Sequence, residues 1–205
     1  MSKEIFDKIF SFLGLIFFLP LFLLIGVLIK IDSKGPIFYR GVRTGRFGKP
    51  FRIYKFRTMV TNAEKIGGPT TANNDSRITK IGKFLRKYKI DELPQLINIL
   101  CGEMSFVGPR PQVEECTKHY NEEEKIILSV KPGLTDYASI EFINLGEILG
   151  DGNVYEKYLR EVEPKINSLR IKYIHERSFW VDMKIIFLTF LKILKKIKKI
   201  WNIKN

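Results

Sequence analysis

From Ile9 to Ile29 the chain runs for 21 residues without a charge, and Ser11 is the only polar side chain among them. A run of that length matches the hydrocarbon core of a bilayer, so the first thirty residues are membrane material and 31–205 reads as one soluble-type domain. No small-x-small cleavage site follows Val27, where the sequence is "LIKIDSKGP", so a secretory leader is a poor reading. Pro20 lies inside the run, where it removes one helical hydrogen bond and favours a bend. Lys3 and Lys8 precede the run, and Lys30, Lys34, Arg40 and Arg43 follow it, so neither flank is marked as the cytoplasmic one. A helix that enters, bends at Leu19-Pro20 and leaves by the same face satisfies both flanks. A helix that spans satisfies the length, and the residues alone leave the two open.

The opposite end repeats the theme. In "FLKILKKIKKIWNIK" the residues Ile193, Leu194, Ile197, Ile200 and Trp201 share one helical face, with six lysines and no acid around them. Such a helix, over about 178–205, suits an anionic membrane surface; a solvated basic tail over a core groove is the plainer alternative. The net charge of +13 calls for an anionic partner without choosing among lipid headgroups, phosphorylated substrates and nucleic acid.

Between the ends, short strands, turns and helices alternate. Ile37 to Tyr39 and Phe51 to Phe56 predict a β-hairpin around Gly45 and Gly48 to Pro50. Residues 60–78 are polar and rich in Gly and Asn, so they read as a loop or short elements. Ile78, Ile81, Leu85 and Tyr88 space an amphipathic helix, and Leu93, Leu96, Ile97 and Leu100 a second. Helices are also expected over 114–130 and 150–173, with a turn at Pro132-Gly133. The fold class is α+β, mainly helical, with no repeat or linker that would split 31–205.

Several chemistries lack their residues. Cys101, Cys116, His119 and His175 have no metal-ligand spacing, and two thiols in a chain facing the cytoplasm argue against a structural disulfide. "GRFGKP" lacks the remaining residues of a phosphate-binding G-x-x-x-x-G-K-[ST] loop, and no D-x-D pair is present for a metal-and-nucleotide grip.

What stands out is "KYKIDELPQL" at 87–96. Six bases (Arg77, Lys80, Lys83, Arg86, Lys87, Lys89) and no acid lead to Asp91-Glu92, just ahead of Pro94. Proline is tolerated in a first turn, so a helix is expected to start near 90–93 and run to Leu100. One reading makes the acids a cap and a first-turn charge. The other notes that successive helical residues point about 100° apart, so the two carboxylates would hold separate tasks: one attacks a phosphorus, the other holds a divalent cation.

"KFRTM" (55–59), "DSRITKIGKFLRKYKIDELPQLINILCGEMSFVGPRP" (75–111) and "KPGLT" (131–135), after an apolar helix with a central proline, resemble the bacterial sugar transferase family, the small monotopic phosphoglycosyl transferases. The resemblance covers most of the chain and looks like the family's minimal catalytic unit. It implies transfer of a sugar 1-phosphate from a UDP-sugar to a polyprenyl phosphate, usually undecaprenyl phosphate, with release of UMP. It further implies Mg²⁺, a covalent phosphosugar enzyme, and a re-entrant helix over 1–30 with both ends cytoplasmic. The catalytic domain over 31–205 would then sit on the cytoplasmic face of a bacterial inner membrane, in contact with lipid and with no nucleic acid partner.

By motif, the resemblance makes Asp91 the nucleophile and Glu92 the Mg²⁺ ligand. Arg86, Arg110, Lys55 and Arg57 are expected to grip phosphates, while Gly108, Pro109 and Pro111 shape a loop. The chain departs from the family pattern in three places. The helix break is Leu19-Pro20 instead of Ser-Pro, and "PGLTDYASIEF" (132–142) replaces the commoner "PGITGWAQV". The frequent L-D-x-x-Y reads Leu169-Arg170-Ile171-Lys172-Tyr173. Asp136, in the second of these, either bonds a sugar hydroxyl or amine or serves a turn. Two other classes stay on the table: a membrane-anchored basic protein binding lipid or RNA, which leaves Asp91-Glu92 without a purpose, and a lipid diphosphate hydrolase, which would need no UDP-sugar.

Overall fold

The computed structural model describes residues 3–63, 75–143, 145 and 154–204. The expected loop over 60–78 and the start of the helix expected over 150–173 fall in part outside them. The chain divides into two compact units. One comprises Met1–Gly41, Arg52–Gly102 and Gly146–Tyr158; the other comprises Val42–Phe51, Glu103–Leu145 and Leu159–Asn205. The architecture is mainly helical, with three two-stranded sheets among the described residues.

The first unit opens with α1 (Lys3–Asp32), a 30-residue helix with Pro20 inside it. Among the described residues it is the one helix long and apolar enough to cross a membrane. Its surface divides sharply. Phe17, Leu23 and Ile31 are 77%, 65% and 77% exposed, a display of apolar area that water would not tolerate on a stable soluble helix. Ile25 and Ile29 are instead buried with Phe56 and Leu85, and Leu21, Phe22, Ile37, Phe38, Ile81 and Ile90 pack around them. At the helix end, Asp32 Oδ2 accepts from the Ile81 amide at 3.0 Å.

β1 (Phe38–Tyr39) pairs antiparallel with β4 (Lys55–Phe56), Tyr39 opposite Lys55, which is the base of the expected hairpin. Next along the chain, α2 (Lys80–Lys87) is capped by Thr79, whose hydroxyl accepts from the Gly82 amide at 3.0 Å. Gly82 is required there, because a Cβ would run into the Thr58 carbonyl. Leu85 faces inward while Phe84 is 53% exposed between lysines, so the helix is amphipathic as its spacing predicts. α3 (Gln95–Leu100) completes the core with Leu96 and Ile99 buried. Leu96 Cδ1 would meet a Cβ on Gly14 at 3.1 Å, so α1 lies close along this helix.

In the second unit β2 (Val42–Thr44) pairs with β3 (Pro50–Arg52) around the expected turn, where Gly45 donates to Lys49 at 2.8 Å. β5 (Ser105–Val107) and β6 (Gly133–Thr135) run parallel, Ser105 opposite Gly133 and Val107 opposite Thr135. The backbones of Gly108 and Gly133 approach so closely that neither leaves room for a Cβ.

The helix expected over 114–130 is broken in two. α4 (Glu114–Thr117) stops early, and Asn121 opens a 3₁₀ segment at Glu124–Ser129. The reason is a reciprocal cap: Asn121 Oδ1 accepts from the Glu124 amide at 2.9 Å, and Glu124 Oε2 accepts from the Asn121 amide at 3.0 Å. α5 (Tyr137–Glu141) follows β6. α6 (Val154–Lys157) leads through a π turn at Tyr158–Val162 into α7 (Glu163–Glu176), with Pro164 in its first turn.

α8 (Phe179–Lys204) is the expected C-terminal helix. Ile185 is wholly buried with Val107, Tyr173 and Ile174. Trp180, Phe187, Phe190 and Leu194 lie exposed along the outer face. The apolar stripe thus begins earlier than the Ile193 expected from sequence, while the side chains of Ile200 and Trp201 lie outside the described residues.

Candidate active site

Local backbone sets the carboxylates. Lys89 adopts φ +60°, ψ +19°, a left-handed conformation uncommon for a residue with a Cβ. It turns the chain out of α2 into a single 3₁₀ turn, Ile90–Glu92. Pro94, not an acid, occupies the N-cap of α3, with no side-chain cap bond. The helix expected to begin near 90–93 therefore begins at Gln95, and Asp91 does not cap it.

Asp91 is 8% exposed, and its Oδ1 is buried without a hydrogen-bond partner among the described residues. Four residues on, Gln95 Nε2 is in the same condition. Buried polar atoms are nearly always partnered, so two orphans in one short segment mark a place where a polar ligand belongs. Burial, and then the neighbouring Glu92 carboxylate, push the Asp91 carboxyl above its ordinary range; Lys55, Lys89 and Arg86 pull the other way.

Glu92 is held differently. Lys55 Nζ donates to its Oε1 at 2.9 Å, a pair whose side chains are 20% and 12% exposed. Lys55 reaches that place because β4 is pinned on both sides: Tyr39 lies opposite it in the β1–β4 ladder, and Asn98 of α3 holds the segment just before it. Asn98 Oδ1 accepts from the Tyr54 amide at 2.8 Å, and its Nδ2 donates to the Arg52 carbonyl at 2.9 Å. The helix that follows the acids thereby sets the strand that carries their lysine.

Arg86 points its Nε at Thr58 Oγ1, 2.8 Å away. Burial lowers its pKa, and Asp91 is the foremost charge opposing that shift. A guanidinium starts so high that it stays protonated regardless. Two adjacent acids, a lysine and an arginine, from three stretches of chain, are thus assembled in the first unit.

Arg57 departs from its expected part. At 6% exposure it donates from Nε to the Pro36 carbonyl (2.6 Å), from Nη1 to Ser33 Oγ (2.8 Å) and from Nη2 to the Ser33 carbonyl (2.8 Å). Those bonds fasten the turn after α1, which is a structural task. Arg110 and Asp136 belong to the second unit. Arg110 is half-buried in the turn after β5. Asp136 has no exposed surface and caps α5, its Oδ1 accepting from the Ser139 amide at 2.6 Å, so of its two expected roles the turn role is the one observed.

Sequence reasoning gave no part to Asn98 or to Thr58 of "KFRTM", and took Lys89 only as one of six bases. Asn98 carried a faint signal, being a polar residue on the apolar face of a short helix; the other two lay inside quoted motifs that said nothing of their backbone or hydrogen-bonding roles.

As for metals, no group of three or more His, Cys, Asp or Glu is placed to hold one among the described residues. Mg²⁺ is commonly held by one or two carboxylates, with substrate phosphates and water supplying the rest. Glu92 and the orphaned Asp91 oxygen are such a partial set.

Comparison with known proteins identifies the family. The family model described as bacterial sugar transferase matches residues 1–196. The UDP-glucose:undecaprenyl-phosphate glucose-1-phosphate transferase of Klebsiella pneumoniae is 40% identical over 199 residues, 93% of this chain and 39% of the relative. The UDP-N-acetylgalactosamine-undecaprenyl-phosphate N-acetylgalactosaminephosphotransferase of Aeromonas hydrophila is 34% identical over 191 residues, 92% of this chain and 42% of its own length. The exopolysaccharide production protein ExoY of Sinorhizobium fredii is 36% identical over 204 residues, 92% of this chain and 84% of its own. The chain therefore spans about two fifths of the length of the first two relatives and most of the third.

Proposed function

The chain belongs to the bacterial sugar transferase family, and on that premise we propose that it moves a sugar 1-phosphate from a UDP-sugar to undecaprenyl phosphate and so begins the assembly of a polysaccharide. The observation that carries the reading is Asp91: a buried carboxylate with an unpartnered oxygen, set beside a second carboxylate and two cations. What sets Asp91 apart is the company of its unpartnered oxygen: a second carboxylate, Lys55, Lys89 and Arg86.

In the proposed reaction an Asp91 carboxylate oxygen attacks the phosphorus that bears the sugar. A P–O bond to UMP breaks, UMP leaves with that electron pair, and the sugar phosphate remains as an acyl phosphate on Asp91. A phosphate oxygen of the polyprenyl carrier then attacks the same phosphorus and returns the carboxylate. Arg86 and Lys55 supply fixed positive charge where phosphate charge must approach an acid, and Arg110 holds the donor's phosphates. Glu92 is the ligand for Mg²⁺, which when bound offsets phosphate charge and favours the leaving group. Arg57 and Asp136 build the scaffold and touch no substrate.

The exposed apolar surface of α1 and the outer stripe of α8 support a location at a membrane. We read residues 1–30 as re-entrant, bent at Pro20, with 31–205 as the catalytic part on the cytoplasmic face. The lysines beside the α8 stripe meet acidic headgroups while Trp180 and Phe187 enter the interface. Relatives of similar identity bear the names of different sugars, so the donor is a UDP-hexose or UDP-N-acetylhexosamine to be fixed by assay.

The test is UMP release by the protein in a bilayer, with Mg²⁺, undecaprenyl phosphate and a panel of those donors. One productive donor, and a sugar-phosphate mass increment on the Asp91 peptide when acceptor is withheld, is the expected result. UMP release that survives Asp91→Asn, or inorganic phosphate release without any donor, would overturn it.

A further inference from the structure

Two of the places where this chain departs from its family's pattern meet in the interior of the second unit. One is Asp136, in "PGLTDYASIEF", and the other is Arg170, in "LRIKY". Arg170 is a helical residue of α7 and Asp136 caps α5, yet they are 2% and 0% exposed, with Arg170 Nε 3.8 Å from Asp136 Oδ2. Neither charge is tolerable there alone, because an unpaired buried ion costs several kcal/mol. Each is the other's counter-ion.

The pair also reaches the turn that carries Arg110. Asp136 Oδ2 accepts from the Arg110 backbone amide at 3.2 Å, while Oδ1 is occupied by the Ser139 amide. Two residues past Arg110, the Gln112 amide is oriented by the donors around it, so that its oxygen accepts from Arg170 Nη2 at 2.7 Å and Nη1 at 3.1 Å. Asn167 Oδ1 and the Tyr120 hydroxyl, 3.0 Å and 3.4 Å from Nη1, hold the guanidinium plane in place. At the other end of the turn Gly108 is pressed on Gly133. The turn is thus held at Gly108, at the Arg110 amide and at the Gln112 side chain, and the last two holds meet at Arg170.

We infer that Arg170 and Asp136 are positioning residues, which set the Arg110 guanidinium for a substrate phosphate by clamping the backbone of residues 110–112. The inference rests on the reading of Arg110 as a phosphate grip and goes beyond it in assigning what aims that grip. Removing the Arg170 charge releases Gln112 and leaves Asp136 without its counter-ion, so the 110–112 backbone loses its register while Asp91 and Glu92 stay as they are. A misplacement of about 1 Å costs on the order of 100-fold in rate, so the effect on donor handling is measurable.

The experiment is a double-mutant cycle in kcat/KM for the UDP-sugar, between Arg170→Gln and Arg110→Ala, on bilayer-embedded protein whose cooperative melting is verified for each variant. The expected result is a loss of about 10- to 100-fold for Arg170→Gln in the wild-type background, little further loss in the Arg110→Ala background, and partial recovery with Arg170→Lys. Losses that multiply in the double variant would reduce Arg170 to a general stabiliser and overturn the inference. If Arg170→Gln fails to melt cooperatively, Asp136→Asn, which keeps a capping oxygen, replaces it in the same cycle and is judged the same way. An Arg110→Ala protein with unchanged kcat/KM would also overturn the inference. The Asp91 phosphosugar adduct would still form in that case, so the failure would be told apart from a failure of the transferase reading.

Discussion

Asp91 in the first unit and Asp136 in the second are both buried near an arginine, and the two are treated in opposite ways. Asp136 has its oxygens met by the Ser139 and Arg110 amides, with the Arg170 guanidinium alongside. Asp91 keeps Oδ1 buried and unpartnered, next to another acid, in a segment that begins from a left-handed lysine. Burial alone therefore says little about an acid's purpose. The satisfied one is architecture, and the unsatisfied one holds a cost that a folding protein has no reason to keep unless a ligand relieves it.

Substituting both acids should pull activity and stability apart. Asp91→Asn removes the nucleophile and is expected to lower turnover by at least about 10⁴-fold, roughly 5 kcal/mol in the barrier, while unfolding in denaturant shows unchanged or slightly greater stability. Asp136→Ala leaves Arg170 uncompensated and removes the α5 cap, so it is expected to cost about 3–5 kcal/mol of stability. Equal destabilisation by the two substitutions would break the contrast and return Asp91 to the scaffold.

The next largest effect sharpens how the first unit assembles its cations. Asn98→Leu deletes the bonds to the Tyr54 amide and the Arg52 carbonyl, leaving both to lose about 2–3 kcal/mol of stability together. Because that segment carries Lys55, the variant is also expected to raise KM for the donor more than it lowers kcat. Unchanged KM with lost stability would mean that Lys55 does not depend on Asn98 for its place.

Much of this was legible in the chain and some could not be. The membrane helix announces itself, since 21 uncharged residues have few other uses. α2 follows from the spacing of Ile81 and Leu85, and the base of the hairpin from β-rich pieces around glycines. The turn at Lys89 was hidden, because lysine is no turn residue and its left-handed backbone is imposed by packing on either side. The parallel pair of β5 and β6 was hidden too: two three-residue strands, 25 residues apart from end to start, carry no local pattern. Arg170 stood out only as a departure within an L-D-x-x-Y segment, and only the fold shows that it is buried against Asp136. Arg57 misled for the matching reason, since its motif reads as phosphate-binding while its donors are committed to Ser33 and Pro36. Charge in the sequence identifies an arginine, and only its neighbours say whether it faces a ligand.

The smallest predicted effect is the most discriminating, because it ties the two properties of Asp91 to one proton. Burial and Glu92 raise the folded-state pKa of Asp91 above the unfolded value of about 3.9. Between those two values the folded protein holds more protons than the unfolded chain, so the slope of unfolding free energy with pH is negative there. The stability contributed by protonated Asp91 is full below the unfolded value and is lost as pH rises through the folded one, by no more than about 1.4 kcal/mol per pH unit. Asp91→Asn cannot titrate, so the wild-type curve minus the variant curve isolates this slope from every other carboxylate. The nucleophile, by contrast, must be ionised, so adduct formation on Asp91 should rise over the same window in which stability falls. Adding Mg²⁺ with donor should shift both curves to lower pH together, since charge placed beside the carboxylate favours its ionised form. A flat difference curve, or two midpoints that move independently, would mean that the buried proton and the reactive carboxylate are not the same group.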